Sequence, residues 1–373
     1  MKKILHISKY YSPYVGGIES TCKYIVDYMQ TDYINKVICF NNNNQNCVDI
    51  IDGVEVTRVG VLGTVSSQAI SPSMILELRS LLNNYKPDLI HFHAPNPLVA
   101  AVLLMFIDKK TKLVVHWHSD VIGKLMYRLI KPVETALLNR ADKIFATSPN
   151  YIVDSQQLTK FKEKVEVVAS AIEVEKYDLT TEEVEKVAEV RQRYEELPIV
   201  FFIGRHVEYK GIEYLLKAEK AVTYNAVFLI AGTGPLTENL KNTYKSERVK
   251  FLGRLSDDDL KYHFYAADIF AFPSITKNEA FGLTLAEAMY CNTVPVTFQI
   301  KGSGVNWVSI NQQTGIECNN RDVNEYGQAI EKLLADSDLL LKYKQNAKQR
   351  VVENFTYDIV GEQIKFIYKS MLM

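Results

Sequence analysis

Short, uninterrupted apolar runs recur along the chain with segments of helical periodicity between them, and this alternation occurs in two separate series. In the first, KKILHIS, NKVICF, PDLIHFH, KLVVHWH and DKIFATS have the continuous hydrophobicity of strands buried on both faces, the habit of parallel sheets. Between them, ESTCKYIVDYMQ, SMILELRSLLNNY and LMYRLIKPVETALLNRA place apolar residues at helical spacing. Strand and helix in alternation specify a doubly wound α/β domain. A second series follows the charged stretch Glu173 to Leu197, with strands PIVFFIG, AVFLIAG, VKFLG, DIFAFP and TVPVTF and helices near 211–221, 257–266 and 281–290. At 373 residues the chain exceeds what one core usually fills. The spacing therefore predicts two α/β domains, each a Rossmann-like doubly wound parallel sheet: residues 1–170, ending in a strand at Val165–Val168, and residues 171–354, opening with a helix over 182–195. The closing FTYDIVGEQIKFIYKSMLM reads as an amphipathic helix over 355–373; periodicity does not say where it docks, and the first domain is the expected partner.

Composition works by exclusion. A net charge of -1 offers nucleic acid no overall attraction. Between Lys109 and Lys164, however, eleven Lys and Arg face five Asp and Glu, so one face of the N-terminal half is expected to be basic. Within it, GKLMYRLIKPVETALLNR, with Lys124, Arg128 and Lys131, is either an interfacial helix resting on anionic lipid or an ordinary surface helix. The longest apolar run, Leu98 to Ile107, is well short of the roughly 20 residues of a membrane span, and the N-terminus lacks a signal-peptide core. Five cysteines with no C-x-x-C pair indicate free thiols in a reducing compartment. The expected location is the cytoplasm, with contact to the inner face of a membrane left open.

Chemistry concentrates in AFPSITKNEAFGLTLAEAMY, Ala271 to Tyr290. A strand ends at Phe272, a polar loop follows, and a helix is expected from about Phe281, so Glu279 precedes the helix and Glu287 lies within it. Free amides at Phe281, Gly282 and Leu283 would favour an anionic or hydroxyl-rich ligand, and Gly282 would let it approach the backbone. A helix cap with Glu279 on first-turn amides is the competing explanation. A glycosidase carboxylate pair fails on distance, because eight positions would separate the two by roughly 12 Å if helical. In FFIGRHVEYKGIEYLL, Arg205 and Lys210 occupy a loop at the carboxyl edge of a sheet, where doubly wound folds bind ligands. In YYSPYVGGIES, Gly16 and Gly17 separate the first strand from a helix expected near Glu19. Neither G-x-G-x-x-G nor the P-loop pattern occurs, which argues against a dinucleotide dehydrogenase and a P-loop kinase. In VVHWHSD, His116 and His118 share a strand face; a zinc pair lacks a third ligand motif, with only His91 and His93 of HFH nearby. The acidic run Asp257–Asp259 follows Ser256 and reads as a helix start in preference to a D-x-D metal site.

The framed E-x7-E, NEAFGLTLAEA, together with the loops above, resembles glycosyltransferase family 4, retaining enzymes of GT-B architecture in which two Rossmann-like domains face across a cleft. The resemblance covers nearly the whole chain. It implies that Glu279 lies beside the donor sugar with Ala280, Phe281 and His118, and that Glu287 holds the ribose hydroxyls. It further implies that Arg205, Lys210, Gly16, Gly17, Gly282 and Leu283 contact the diphosphate. AGTGP and FLGRLSDDDL are similar to family loops near the diphosphate and base, making Arg254 and Leu255 the candidates for base contact. Catalytic roles fall to Glu279 and His118. No cofactor and no metal are implied, because two fixed cations stabilise the leaving diphosphate. KGSGVNWVSINQQTGIEC resembles the corresponding region of bacterial O-antigen and capsule enzymes. The implied reaction is hexosyl transfer from GDP-mannose or a UDP-hexose to a lipid-linked oligosaccharide. VVASAIE departs from the family's linker, which puts the hinge in doubt. A sugar-nucleotide epimerase and a non-catalytic nucleotide-sugar sensor are the rival readings.

Overall fold

Ten strands build the first part of the computed structural model, which describes residues 1–14, 16–65, 68–120 and 127–373. They are β1 (Lys3–Ile7), β2 (Ile34–Phe40), β3 (Cys47–Ile51), β4 (Val54–Val59), β5 (Gly63–Val65), β6 (Gln68–Ile70), β7 (Leu89–Ala94), β8 (Lys112–Trp117), β9 (Lys143–Ala146) and β10 (Val165–Val167). Eight form one sheet in the order β10-β9-β8-β7-β1-β2-β4-β3, while β5 and β6 make a separate hairpin. The runs that read as strands form its centre, and every residue of β7 is buried. The sequence pattern missed β3 and β4. β3 is an antiparallel edge strand with Val48 and Ile50 exposed, so no continuous apolar run marks it. The first helix, Gly17–Met29, starts two residues earlier than expected.

These strands belong to one unit, Met1–Ser170 with Tyr357–Met373. The C-terminal helix Tyr357–Leu372 turns Val360, Ile364, Ile367 and Tyr368 inward. Tyr357 stacks on Tyr24 at 4.2 Å, Lys365 pairs with Asp32 at 2.7 Å, and the Tyr368 hydroxyl hydrogen-bonds His91. Residues 121–126, including Lys124 of the basic segment, lie outside the described residues; Arg128 and Lys131 are exposed. Among the described residues no helix is long and apolar enough to cross a membrane.

The second unit is Ala171–Thr356. Its helix Thr181–Arg193 opens with a capping box, the Thr180 hydroxyl accepting from the Glu183 amide at 3.3 Å and the Glu183 carboxylate from the Thr180 amide at 2.8 Å. Six strands follow: β11 (Ile199–Ile203), β12 (Val227–Ala231), β13 (Val249–Gly253), β14 (Ile269–Phe272), β15 (Val294–Phe298) and β16 (Ile316–Cys318), all parallel in the order β13-β12-β11-β14-β15-β16. The chain moves outward from β11 to β13, then returns to β14 on the other side of β11. That reversal is a topological switch point, where the loops leaving adjacent strands diverge and open a crevice at their carboxyl ends.

Candidate functional site

The switch point is occupied by the two loops richest in chemistry. The loop leaving β11 carries Arg205 and Lys210 and ends at Gly211, whose φ is +65°. A Cβ at Gly211 would lie 2.0 Å from the Pro273 carbonyl oxygen at the end of β14. Only glycine combines that backbone angle with so close an approach, and it draws the two loops together. The Ile275 amide then donates to the Tyr209 carbonyl at 2.9 Å.

This approach joins Lys210 to Glu279. Lys210 Nζ makes a short charged hydrogen bond to Glu279 Oε2, both side chains being only 14% exposed. The ammonium also lies 5.2 Å from the Phe272 ring centroid, a favourable place for a cation. Ser274 Oγ stands 3.3 Å from the same carboxylate oxygen. The backbone on the far side of Glu279 is held by the KGSG turn: the Ser303 hydroxyl donates to the Glu279 carbonyl, and the Gly304 amide to the Ala280 carbonyl at 2.9 Å. Ser274 and Ser303 were not among the expected site residues; the only signal for Ser303 was its place in KGSGVNWV.

The helix expected from Phe281 begins at Leu283, with Gly282 as its N-cap at φ +89°, ψ 62°. That left-handed angle takes Phe281 and Gly282 out of the helix. Among the described residues their amides have no backbone acceptor, so they are available to a ligand, as at many helix starts. Ala280 is partly exposed and the Phe281 ring is buried against Trp307 and Phe355, which limits Phe281 to a backbone contact. Arg205 is exposed. Arg254, also exposed, has its Nε 3.4 Å from the Thr233 hydroxyl, and Leu255 follows on the same loop. Behind them the AGTGP turn packs on the Arg205 loop through His206, whose buried ring bonds Thr237 Oγ1 at 2.9 Å and the Ala231 carbonyl at 3.2 Å.

Glu287 lies in the helix Leu283–Tyr290 and accepts from Tyr177. Burial raises its pKa to about 7, opposed by the Tyr177 hydrogen bond, with Asp257 adding to the rise. Asp257–Asp259 form a capped helix start, as expected: Ser256 Oγ accepts from the Asp259 amide at 3.1 Å.

In the first unit, Gly16 caps the helix Gly17–Met29 and Gly17 has open space where a Cβ would stand. The loop leading there is pinned by Arg58 of β4, which donates to the carbonyls of Tyr11, at 3.3 Å, and Ser12. His118 follows β8 and is buried, its Nε2 3.0 Å from His93 Nδ1. Burial depresses its pKa to about 3, so the ring is neutral near neutral pH. The metal reading of His91 and His93 gains a neighbour that sequence did not supply, since His6 on β1 pairs in register with His91.

Two family models match, one to each unit: Glycosyltransferase Family 4 over residues 15–176 and Glycosyl transferases group 1 over residues 183–350. The chain is 26% identical over 99% of both chains to the O-antigen chain mannosyltransferase C of Escherichia coli. It is 27% identical to the D-rhamnosyltransferase WbpZ of Pseudomonas aeruginosa, covering 95% of this chain and 92% of that one. Among solved structures, the sucrose-phosphate synthase of Thermosynechococcus elongatus superposes with a TM-score of 0.78 at 19% identity, over 100% of this chain and 99% of that one. Anabaena HepE in complex with UDP gives 0.77 at 18%, over 99% and 100%.

Proposed function

We propose a specific hexosyl transfer for this chain, which belongs to the GT-B glycosyltransferases of the family 4 type: from GDP-mannose, or failing that a UDP-hexose, to a lipid-linked oligosaccharide of O-antigen or capsule synthesis, with retention of anomeric configuration. The observation that carries the reading is the Lys210–Glu279 pair at the switch point of the second unit, on the loop that also carries Arg205 and just before the amides of Phe281 and Gly282, which among the described residues have no backbone acceptor. A sugar diphosphate matches that set of groups. Lys210 and Arg205 would meet the phosphates, and the amides would take phosphate or sugar oxygens. The carboxylate would stand toward the sugar, where negative charge favours an oxocarbenium-like transition state.

The leaving diphosphate itself takes the acceptor proton on the face it departs from, so no protein nucleophile is needed. Fixed cations replace a metal ion at the diphosphate, and transfer proceeds without one. Glu287 and Tyr177 receive the ribose, Arg254 and Leu255 the base, and neutral His118 hydrogen-bonds sugar hydroxyls. The preference for mannose rests on relatives named as an O-antigen chain mannosyltransferase and a GDP-mannose-dependent phosphatidylinositol monomannoside mannosyltransferase. An acceptor on a lipid carrier suits a cytoplasmic enzyme held at the membrane face by its basic 109–164 segment.

The test is a panel of GDP-, UDP- and ADP-sugars screened for protection against unfolding, then for transfer to lipid-linked saccharides in EDTA, with product configuration read by NMR. GDP-mannose is expected to protect most and to yield an α-linked product. Conversion of the sugar nucleotide without acceptor would indicate an epimerase, and binding without release of nucleotide diphosphate a sensor; either would overturn the proposal.

A further inference from the structure

Five of the seven histidines in the chain form one buried stack on a single face of the first sheet: His6 of β1, His91 and His93 of β7, and His116 and His118 at the end of β8. Neighbouring rings lie 4.1–5.5 Å apart by centroid. Side-chain alternation and parallel register explain how they meet, because His6 is paired with His91 and His93 with His116. Alternation does not explain why the core holds so many polar rings.

Their hydrogen bonding is asymmetric in a telling way. His6 has Nε2 3.3 Å from Asn35 Oδ1, His91 has Nδ1 against the Tyr368 hydroxyl, and His93 has Nδ1 3.0 Å from His118 Nε2. The other nitrogen of each ring, His6 Nδ1, His91 Nε2 and His93 Nε2, is buried with no protein partner among the described residues. Buried polar atoms are almost always bonded, and exceptions call for an ion or a water. One nitrogen engaged and one free on each of three clustered rings, with His6 and His91 held by groups outside the stack and His93 by His118 within it, resembles the arrangement of histidine metal ligands with their supporting partners. One ring nitrogen from each of His6, His91 and His93 lies within 4.8 Å of the others.

We propose that His6, His91 and His93 form a structural binding site for one borderline divalent cation, zinc in the first place, which ties the C-terminal helix to the first sheet through Tyr368. Imidazole ligands suit zinc and its neighbours and not magnesium or calcium. Metal–nitrogen bonds of about 2 Å require the rings to turn about χ2 out of their stack and the nitrogens to close by roughly 1 Å. The ion is distinct from the cations proposed for the diphosphate, Arg205 and Lys210, although its ligand His93 is hydrogen-bonded to His118 at 3.0 Å.

The test uses full-length protein, unfolded in chelator and refolded with either Zn²⁺ or Co²⁺ and no nucleotide. Retained metal is measured by elemental analysis, and Co²⁺ coordination by its visible spectrum. One ion per chain with a nitrogen-ligand spectrum is expected. Tyr368→Phe, which keeps the ring and removes only the outer partner of His91, should weaken zinc affinity 10–100-fold, and His91→Asn should abolish stoichiometric binding. A folded wild-type protein that retains no metal, or affinity unchanged in Tyr368→Phe, overturns the site. Should His91→Asn fail to fold, the wild-type stoichiometry and the Tyr368→Phe affinity decide.

Discussion

Replacing Lys210 by Met removes the cation beside Glu279 while keeping a side chain long enough to cover Phe272. The stranded carboxylate is 14% exposed, with the Ser274 hydroxyl at 3.3 Å as its remaining side-chain partner. Removing one member of a fully buried pair costs about 3–5 kcal/mol. The residual exposure admits some solvent and lowers the expected loss to about 2–3 kcal/mol, or about 4–12 °C in the melting of a domain this size. Glu279→Gln keeps an acceptor for the ammonium and should lose about 1–2 kcal/mol. Combining Lys210→Met with Glu279→Gln leaves no charge at the pair, so the double variant should lose less than the sum of the single variants, giving a coupling of about 2 kcal/mol. Urea unfolding of the four proteins reads this directly. The same proteins should show kcat/KM for transfer reduced about 10²–10³-fold in each single variant, since each removes one electrostatic contact to the transition state. A coupling below about 0.5 kcal/mol in unfolding would refute the inference that the two charges share one site in solution.

Glu287, with its pKa raised to about 7 by burial, is expected to make stability fall as pH rises. The contribution is fully present below about 4.5, where the unfolded carboxyl is also protonated, and is lost as pH climbs to 7 and beyond, by a few kcal/mol at most. Glu287→Gln should flatten that slope in unfolding experiments between pH 4.5 and 8. If Glu287 accepts ribose hydroxyls as a carboxylate, donor affinity should strengthen over pH 6 to 8 in the wild type and lose that dependence in the Gln variant, measured by calorimetry. Gly282→Ala must adopt φ +89° with its Cβ 3.3 Å from Leu285 and Phe272; a stability loss of about 1–2 kcal/mol is expected, with a larger proportional loss of donor affinity. Truncation after Thr356 removes the buried Tyr368 and the Lys365–Asp32 pair. Hydrogen exchange should then show β1, β7 and β8 losing protection while the second sheet keeps its own.

The central strands of both sheets were legible because a parallel strand buried on two faces must be apolar throughout, as in PIVFFIG and AVFLIAG. β3, β4 and β16 escaped, β3 and β16 because these edge strands are short and partly solvated, and β4 because its run VEVTRV is broken by charged residues. The loops bearing Arg205, Lys210 and Glu279 could be located by where strands ended, but their meeting required the sheet order, which places β14 beside β11. Local periodicity carries no such information. The same limit hid the histidine stack: HFH and HWH were visible as pairs, while His6 joins them only through the register of β1 against β7. The Glu287 environment was equally invisible, since Tyr177 lies far away in sequence. By contrast, the Ser256 cap was local and readable.

A crystal structure of the protein with bound nucleotide diphosphate and sugar tests the proposed site most directly. The diphosphate should lie within hydrogen-bonding distance of Lys210 Nζ, the Arg205 guanidinium and the amides of residues 281–283, with Glu279 turned toward the sugar. A diphosphate bound elsewhere, with the Lys210–Glu279 pair undisturbed and facing no ligand atom, would contradict it.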